Sequence, residues 1–279
     1  MAEQPIANDC ASIRAAIKQD LADNKLDMPL MPIVASQILS SSVDDNATAA
    51  RLAEIIQQDQ SIASHMLRVV NSPLFRGTVE VVALPQAIAR LGMERIREIA
   101  LSISFKSKVF QAGAYDAYLE HAWSLALYTA LWAREVARAT RRNVEVGYLC
   151  GLLHNIGVPV ILGRVSELSC DLDDGEISGL VEEFQTNAGC QLVSEWHLPE
   201  KVGEAVAYLG AFAQPPSEQD HLMLVEAGQH FAQCQLAQSL ELENLLQHSV
   251  MQRLNLYPDD VEALVALAGG VSQTVESMS

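Results

Sequence analysis

The chain has 279 residues, 49 % of them hydrophobic and 19 % charged, and a formal net charge of −17. That balance excludes a disordered chain and leaves room for one large domain or two modest ones. The negative field argues against a nucleic-acid platform that binds by neutralising phosphates, and with aromatics at 5 % the core falls to Ala, Leu, Val and Ile, which favours helices packed on helices.

The first ten residues, MAEQPIANDC, lack the positive start and apolar centre of a signal peptide. Helical spacing dominates from there on, with no series of alternating strands, so the expected fold class is all-α. A first helix over about residues 12–22 puts Ile13, Ile17 and Leu21 on one face, and Pro29 and Pro32 break any continuation. A short helix then carries Val34, Ile38 and Leu39. Asp44, Asp45 and Asn46 supply turn and capping oxygens. Leu52, Ile55 and Ile56, then Ile62, Met66, Val69 and Val70 after a break near Asp59, describe two helices meeting at an angle. Asn71, Ser72 and Pro73 read as a helix stop. Pro85 suits the first residue of a helix that ends at Gly92, and a further helix from Met93 turns Ile96, Ile99 and Ile103 inward.

Gly113 marks a subdomain seam, and the longest helix follows at about 115–140. Residues 144–162 are the most apolar long stretch, but Glu145, His154, Asn155 and Pro159 make it a buried helix and turn rather than a membrane span. After a polar connection over 169–175 comes a helix over 177–196. Pro199 restarts the chain as EKVGEAVAYL, a linker holds Gln214, Pro215 and Pro216, and helices continue from His221 around the turn LYPDD. The expected organisation is an N-terminal lobe over 1–112, a helical core over 113–216 and completing helices over 217–279. Cys10, Cys150, Cys170, Cys190 and Cys234 form no CxxC pair and read as free thiols in a reducing compartment, the cytoplasm.

Two passages carry a resemblance. LAEIIQQDQSIASHMLRVVNSPLFRG followed by ALPQAIARLGMERIREIAL resembles the N-terminal signature of the HDOD family, bacterial signalling output domains related by fold to metal-dependent HD phosphohydrolases. YLCGLLHNIG and LVSEWHLPEKVGEAV are similar to its second half, so the resemblance covers about residues 28–214. It implies a two-lobed helical protein, with an N-terminal bundle packed on a core shaped like the HD hydrolases. Catalysis is a separate matter, because fold and site are separate.

An HD hydrolase site converges histidines and aspartates on a divalent metal that activates water. The resemblance places Trp123 where the first histidine of the pattern belongs, His154 and Asn155 at the histidine-aspartate pair, Gln185 at the next histidine, and Leu209 with Gly210 at the last histidine pair. An indole offers no lone pair to a cation, and an asparagine brings no negative charge. Of these positions only His154 keeps a strong ligand, so the pocket is expected to be vestigial, with no metal, cofactor or catalytic residue. His121 is two residues from Trp123, about 200° round the helix, and should face away. His197 and His221 match no ligand position.

His154 is then read as a buried imidazole bonded to Asn155 or a backbone carbonyl, His197 as a helix-end cap, and Trp123, Trp132 and Trp196 as core anchors. Arg134, Arg138, Arg141 and Arg142, at i, i+4, i+7 and i+8, form a basic face near the end of the longest helix. That face is either a solvated helix end or a dock for an acidic or phosphorylated partner. The expectation is a non-catalytic regulatory domain that binds other signalling proteins or a small nucleotide, but neither nucleic acid nor membrane, and takes its input from a separate protein or ligand. The alternative is a divergent metal-dependent phosphohydrolase acting on a nucleotide or cyclic dinucleotide.

Overall fold

The computed structural model describes residues 9–41, 48–110, 115–168, 172–208, 210–211 and 219–278. These residues form sixteen α-helices and no strand. Asp44, Asp45, Asn46, Gly113, Cys170, Leu209, Gln214, Pro215 and Pro216, singled out in the sequence, lie outside them.

The first six helices are α1 (Cys10–Ala22), α2 (Ile33–Ser41), α3 (Ala49–Gln57), α4 (Gln60–Val70), α5 (Leu84–Leu91) and α6 (Met93–Lys108). Asp59 separates α3 from α4 because its carboxylate accepts from the backbone N–H groups of Ser61 and Ile62, the orphan donors of a new helix. Asn71 does more than stop α4: its side-chain amide donates to the Val81 carbonyl at 2.7 Å and accepts from the Val81 N–H at 2.8 Å, which clamps the loop shut as a strand neighbour would. Pro85 sits one residue later than expected, since α5 opens at Leu84. Gly92 then adopts φ +83°, a left-handed conformation open to glycine at no steric cost, and turns the chain from α5 into α6. Helices α2 to α5 pack around α6, whose isoleucines Ile96, Ile99 and Ile103 are buried as the periodicity requires.

The second part contains α7 (Asp116–Ala139), α8 (Val144–Leu153), α9 (Gly157–Leu168), α10 (Asp174–Glu195), α11 (Glu200–Ala207) and α12 (Asp220–Leu236). Helix α7 is the spine, with α8 on one side and α12 on the other. Helix α10, opened by a capping box between Asp173 and Glu176, packs on α9 and α11. Four shorter helices, α13 (Leu242–Leu246), α14 (Ser249–Arg253), α15 (Pro258–Val265) and α16 (Ala268–Met278), close the C-terminal end, with α15 and α16 reaching back to α7. Helix α1, grouped from its sequence position with the N-terminal lobe, packs mainly on α9 and α10, where Asp20 binds Arg164 at 2.8 Å and the Leu21 carbonyl accepts from Gln191.

One hydrophobic core runs from Ile13 to Met278 and contains all three tryptophans. The segment Val144–Leu168 is long and apolar enough to cross a bilayer by length and composition, yet its most apolar window is 83 % buried inside the fold. It is the centre of the second lobe. Cys10, Cys150, Cys190 and Cys234 are free thiols.

Candidate functional site

The HD-like pocket is built where α8 runs into α9. Gly151 lets α8 cross α7 so closely that a Cβ on it would stand 2.8 Å from the Ala130 Cα, and a Cβ on Gly157 would stand 1.9 Å from the Gln185 carbonyl oxygen of α10. These two contacts press the turn at His154 and Asn155 between α7 and α10, the placement the resemblance implies.

His154 is fully buried. Its Nδ1 lies 2.7 Å from the Gly151 carbonyl oxygen, which can only accept, so Nδ1 carries the proton and Nε2 presents a lone pair. Burial pushes the imidazole down to about 4, against the opposing pull of the Gly151 carbonyl, and keeps it neutral at physiological pH. Asn155, 5 % exposed, donates through Nδ2 to the Ala122 carbonyl at 2.9 Å. Trp123, 1 % exposed, tilts against Phe110 with ring centroids 5.2 Å apart. No protein atom among the described residues completes the bonding of His154 Nε2, Asn155 Oδ1 or Trp123 Nε1. Gln185 is half-buried, and its backbone is what meets Gly157.

The donor set does not fit a divalent metal. His154 keeps the arrangement of a metal ligand, one ring nitrogen tied to a carbonyl and the other free. The other two buried groups that the family pattern aligns with ligands are an indole that can only donate and a neutral amide oxygen. His121 is exposed, as the helical rotation requires. His197 is also exposed; it ends α10 at φ +52° and its Nδ1 lies 2.8 Å from the Glu195 carbonyl. His221 is buried with Nε2 2.8 Å from Glu204 Oε2, a pair of its own. Among the described residues no three His, Cys, Asp or Glu side chains converge to hold an ion.

The four arginines do not share one solvent face, which corrects that expectation. Arg134 is 3 % exposed and points inward: its guanidinium donates to Glu98 at 2.9 Å and to Glu135 at 2.7 Å. Glu135 also accepts from Arg138 at 2.8 Å, and Glu98 from Arg95 at 3.0 Å. The reason is the register of α7, where Leu127, Ala130 and Ala137 line the buried arc on which Arg134 falls. Arg142 is turned to Asp220 at 2.8 Å. Arg138 and Arg141 remain exposed.

Glu98 was missed in the sequence, though it sits on the inward arc of α6 beside Ile99. Burial pushes its carboxyl up to about 7, against the opposing pull of Arg95, while Arg134 donates to it from the buried side at 2.9 Å. Beside it the Tyr148 hydroxyl contacts Ser102 Oγ at 2.6 Å and donates to the Glu98 carbonyl at 3.2 Å, joining α8 to α6.

Residues 28–211 match the HDOD domain family. The chain belongs to that family. An HDOD domain protein of unknown function from Geobacter sulfurreducens has a similar structure, with a TM-score of 0.73 at 18 % identity over 97 % of this chain and 98 % of that one. A Shewanella amazonensis protein named "Putative metal-dependent phosphohydrolase" matches with a TM-score of 0.73 at 20 % identity, covering 97 % of this chain and 99 % of its own. A protein from Treponema pallidum (strain Nichols), named only as uncharacterized, is 23 % identical over 210 residues, 71 % of this chain. The HDOD chain spans 40 % of that relative's length. At these identities the solved structures establish the fold, an HD-like helical body, and leave the chemistry to the residues.

Proposed function

We propose that this HDOD chain is a non-catalytic bacterial signalling domain that acts through protein or small-ligand contacts, with an HD-like pocket turned over to packing. One observation carries the reading: among the described residues no second imidazole and no carboxylate joins the buried lone pair of His154 Nε2 in a cluster that could hold an ion, where a hydrolase needs several anionic or imidazole donors. An aspartate at position 155 would have to be buried without a metal to balance it, and an asparagine avoids that cost while keeping the bond to the Ala122 carbonyl. A nucleotide reaching His154 would have to part helices that bury it together with Asn155 and Trp123, so the regulatory input enters elsewhere.

The exposed pair Arg138 and Arg141 is the proposed dock for an acidic or phosphorylated partner. The free thiols support a reducing compartment such as the cytoplasm.

The rival reading, a divergent metal-dependent phosphohydrolase, draws on the way His154 Nδ1 is held and Nε2 left ready to ligate. Metal analysis of protein purified without chelator, with a phosphodiesterase assay on linear and cyclic dinucleotides, separates the two. The regulatory reading expects substoichiometric metal and no turnover. Stoichiometric Mn, Fe, Mg or Zn, lost together with turnover in His154→Ala, would establish the hydrolase instead.

A further inference from the structure

Helices α2 and α6 on one side, and α8 with the start of α11 on the other, leave a cleft of about 180 Å³ between the two lobes. None of its lining residues belongs to the HD-like pocket. Its walls are apolar, formed chiefly by Ile38, Leu39, Leu101, Val146, Leu149 and Val202. An engineered protein cavity of about 150 Å³ lined by such side chains takes up benzene, so this one matches a single ring or a chain of about eight carbons.

An apolar body alone does not account for the cations at the cleft. Arg97 of α6 lines it with a side chain only 16 % exposed, and its Nε is buried without an acceptor among the described residues. The ion pair it makes there, with Glu145, is 3.5 Å long, at the limit of a hydrogen bond. A guanidinium satisfied by a carboxylate makes two parallel bonds of about 2.8 Å. Lys201, at the start of α11 on the opposite lobe, is exposed and makes no ion pair among the described residues. Glu98 does not compete for either cation, because Arg95 and Arg134 hold it. Glu94 and Glu145 complete the lining and set a limit of their own: with two carboxylates nearby and a net charge of −17, a polyanion such as a nucleotide phosphate is repelled, while a single negative charge can be met by Arg97 and Lys201.

We infer that the interlobe cleft binds a small hydrophobic monocarboxylate, its apolar body held between the two lobes and its acid group shared by Arg97 and Lys201. The inference rests on the regulatory reading for its meaning, since a ligand gripped from both lobes is an input that ties them together, and it adds the site and the chemical class. A compound that binds only the assembled lobes stabilises the fold by mass action.

The test uses the full chain with octanoate and benzoate as probes, and octan-1-ol and octylamine as bodies without the acid. Thermal shift and calorimetry should show saturable binding of a carboxylate, and none of the alcohol or amine at equal concentration. Arg97→Gln should weaken the carboxylate by about tenfold or more, because a charged hydrogen-bond pair is lost. Lys201→Gln changes an exposed side chain that the fold does not need, so it probes the acid contact even if Arg97→Gln folds poorly. Leu149→Trp should fill the cleft and abolish binding. The inference is overturned if neither carboxylate saturates, if octan-1-ol binds as well as octanoate, or if Lys201→Gln and Leu149→Trp both leave affinity unchanged. Each result is separable from the regulatory reading, because metal content and turnover at His154 report on a pocket that shares no residue with this cleft.

Discussion

The two ends of α7 bury polar groups in opposite ways. Near its start, Trp123 is buried, and Asn155 bonds the adjacent Ala122 carbonyl next to His154; each of these three uncharged groups leaves one polar atom without a partner among the described residues. Three turns later Arg134 is buried just as deeply, yet its guanidinium meets two carboxylates at 2.7 and 2.9 Å. A buried charge persists only where a counter-charge is built in with it. In an HD hydrolase that counter-charge is the metal. Here position 155 carries an amide while an ion cluster couples α6 to α7, so the helix buries charge where it joins the lobes and only neutral groups beside His154.

The sharpest way to break this comparison is to remove Arg134. Arg134→Met leaves Glu98 with Arg95 alone and Glu135 with Arg138 alone and removes the one buried guanidinium that joins them, and the expected loss is about 3 kcal/mol in urea unfolding. The double variant with Glu98→Gln should recover part of it, since the buried acid that has lost its deeper partner is then neutral. A loss under 1 kcal/mol for the single change would mean that water already solvates the cluster.

Asn155→Asp asks the converse at the other end of the helix. The new carboxyl would be buried beside a neutral imidazole, its folded value raised above the ordinary carboxylate range. The penalty is absent below pH 4, where the acid is protonated in both states, and grows as pH rises, to roughly 3 kcal/mol at pH 8. Added Mn should return none of it. Recovery of the lost stability with 1 mM Mn would show that one carboxylate is all the pocket lacks.

Part of this was legible beforehand. The period of the apolar residues places α7 and α10 to within three residues of where they lie, because long amphipathic stretches leave little choice of register. The family pattern brings Trp123, His154, Asn155 and the Gln185 backbone to one turn. Arg134 was misread because i, i+4 arginines near a helix end are usually solvated; the signal against that reading was Leu127, Ala130 and Ala137, the buried arc it interrupts. Glu98 carried a similar sign, its place on the inward arc of α6, but its deeper partner Arg134 is 36 residues away and only tertiary packing reveals that pair. Asn71 looked like a helix stop because its bond to Val81 crosses a loop whose path the sequence does not specify.

His154 sharpens the comparison through pH. Its folded value of about 4 lies below the ordinary 6.5, so the stability it contributes is complete above pH 6.5 and is lost as pH falls through 4. Between pH 8 and pH 5 that amounts to about 2 kcal/mol. Glu98 works in the opposite sense, its raised carboxyl favouring the folded state as pH drops below 7. The difference between wild type and His154→Gln isolates the imidazole: the variant should lack this acid loss, and parallel curves would mean that the ring takes up its proton equally in the folded and unfolded chain.

The smallest effect belongs to the charges that α7 shows to solvent. Arg141 ends the helix at φ +56°, with its N–H on the Arg138 carbonyl and the Arg142 N–H on the Ala137 carbonyl. This is the position glycine most often fills, and a side chain there costs about 1 kcal/mol of backbone strain. Arg141→Gly should therefore stabilise the chain by about 0.5 kcal/mol after glycine's own entropy cost, and Arg138→Gln should change it by less than that. The two exposed arginines then differ from Arg134 in burial: Arg138 pairs with Glu135 at the solvent edge and Arg141 ends the helix, so the fold depends little on either charge. A loss above 1 kcal/mol in Arg141→Gly would return that residue to the structural side and remove half of the proposed dock.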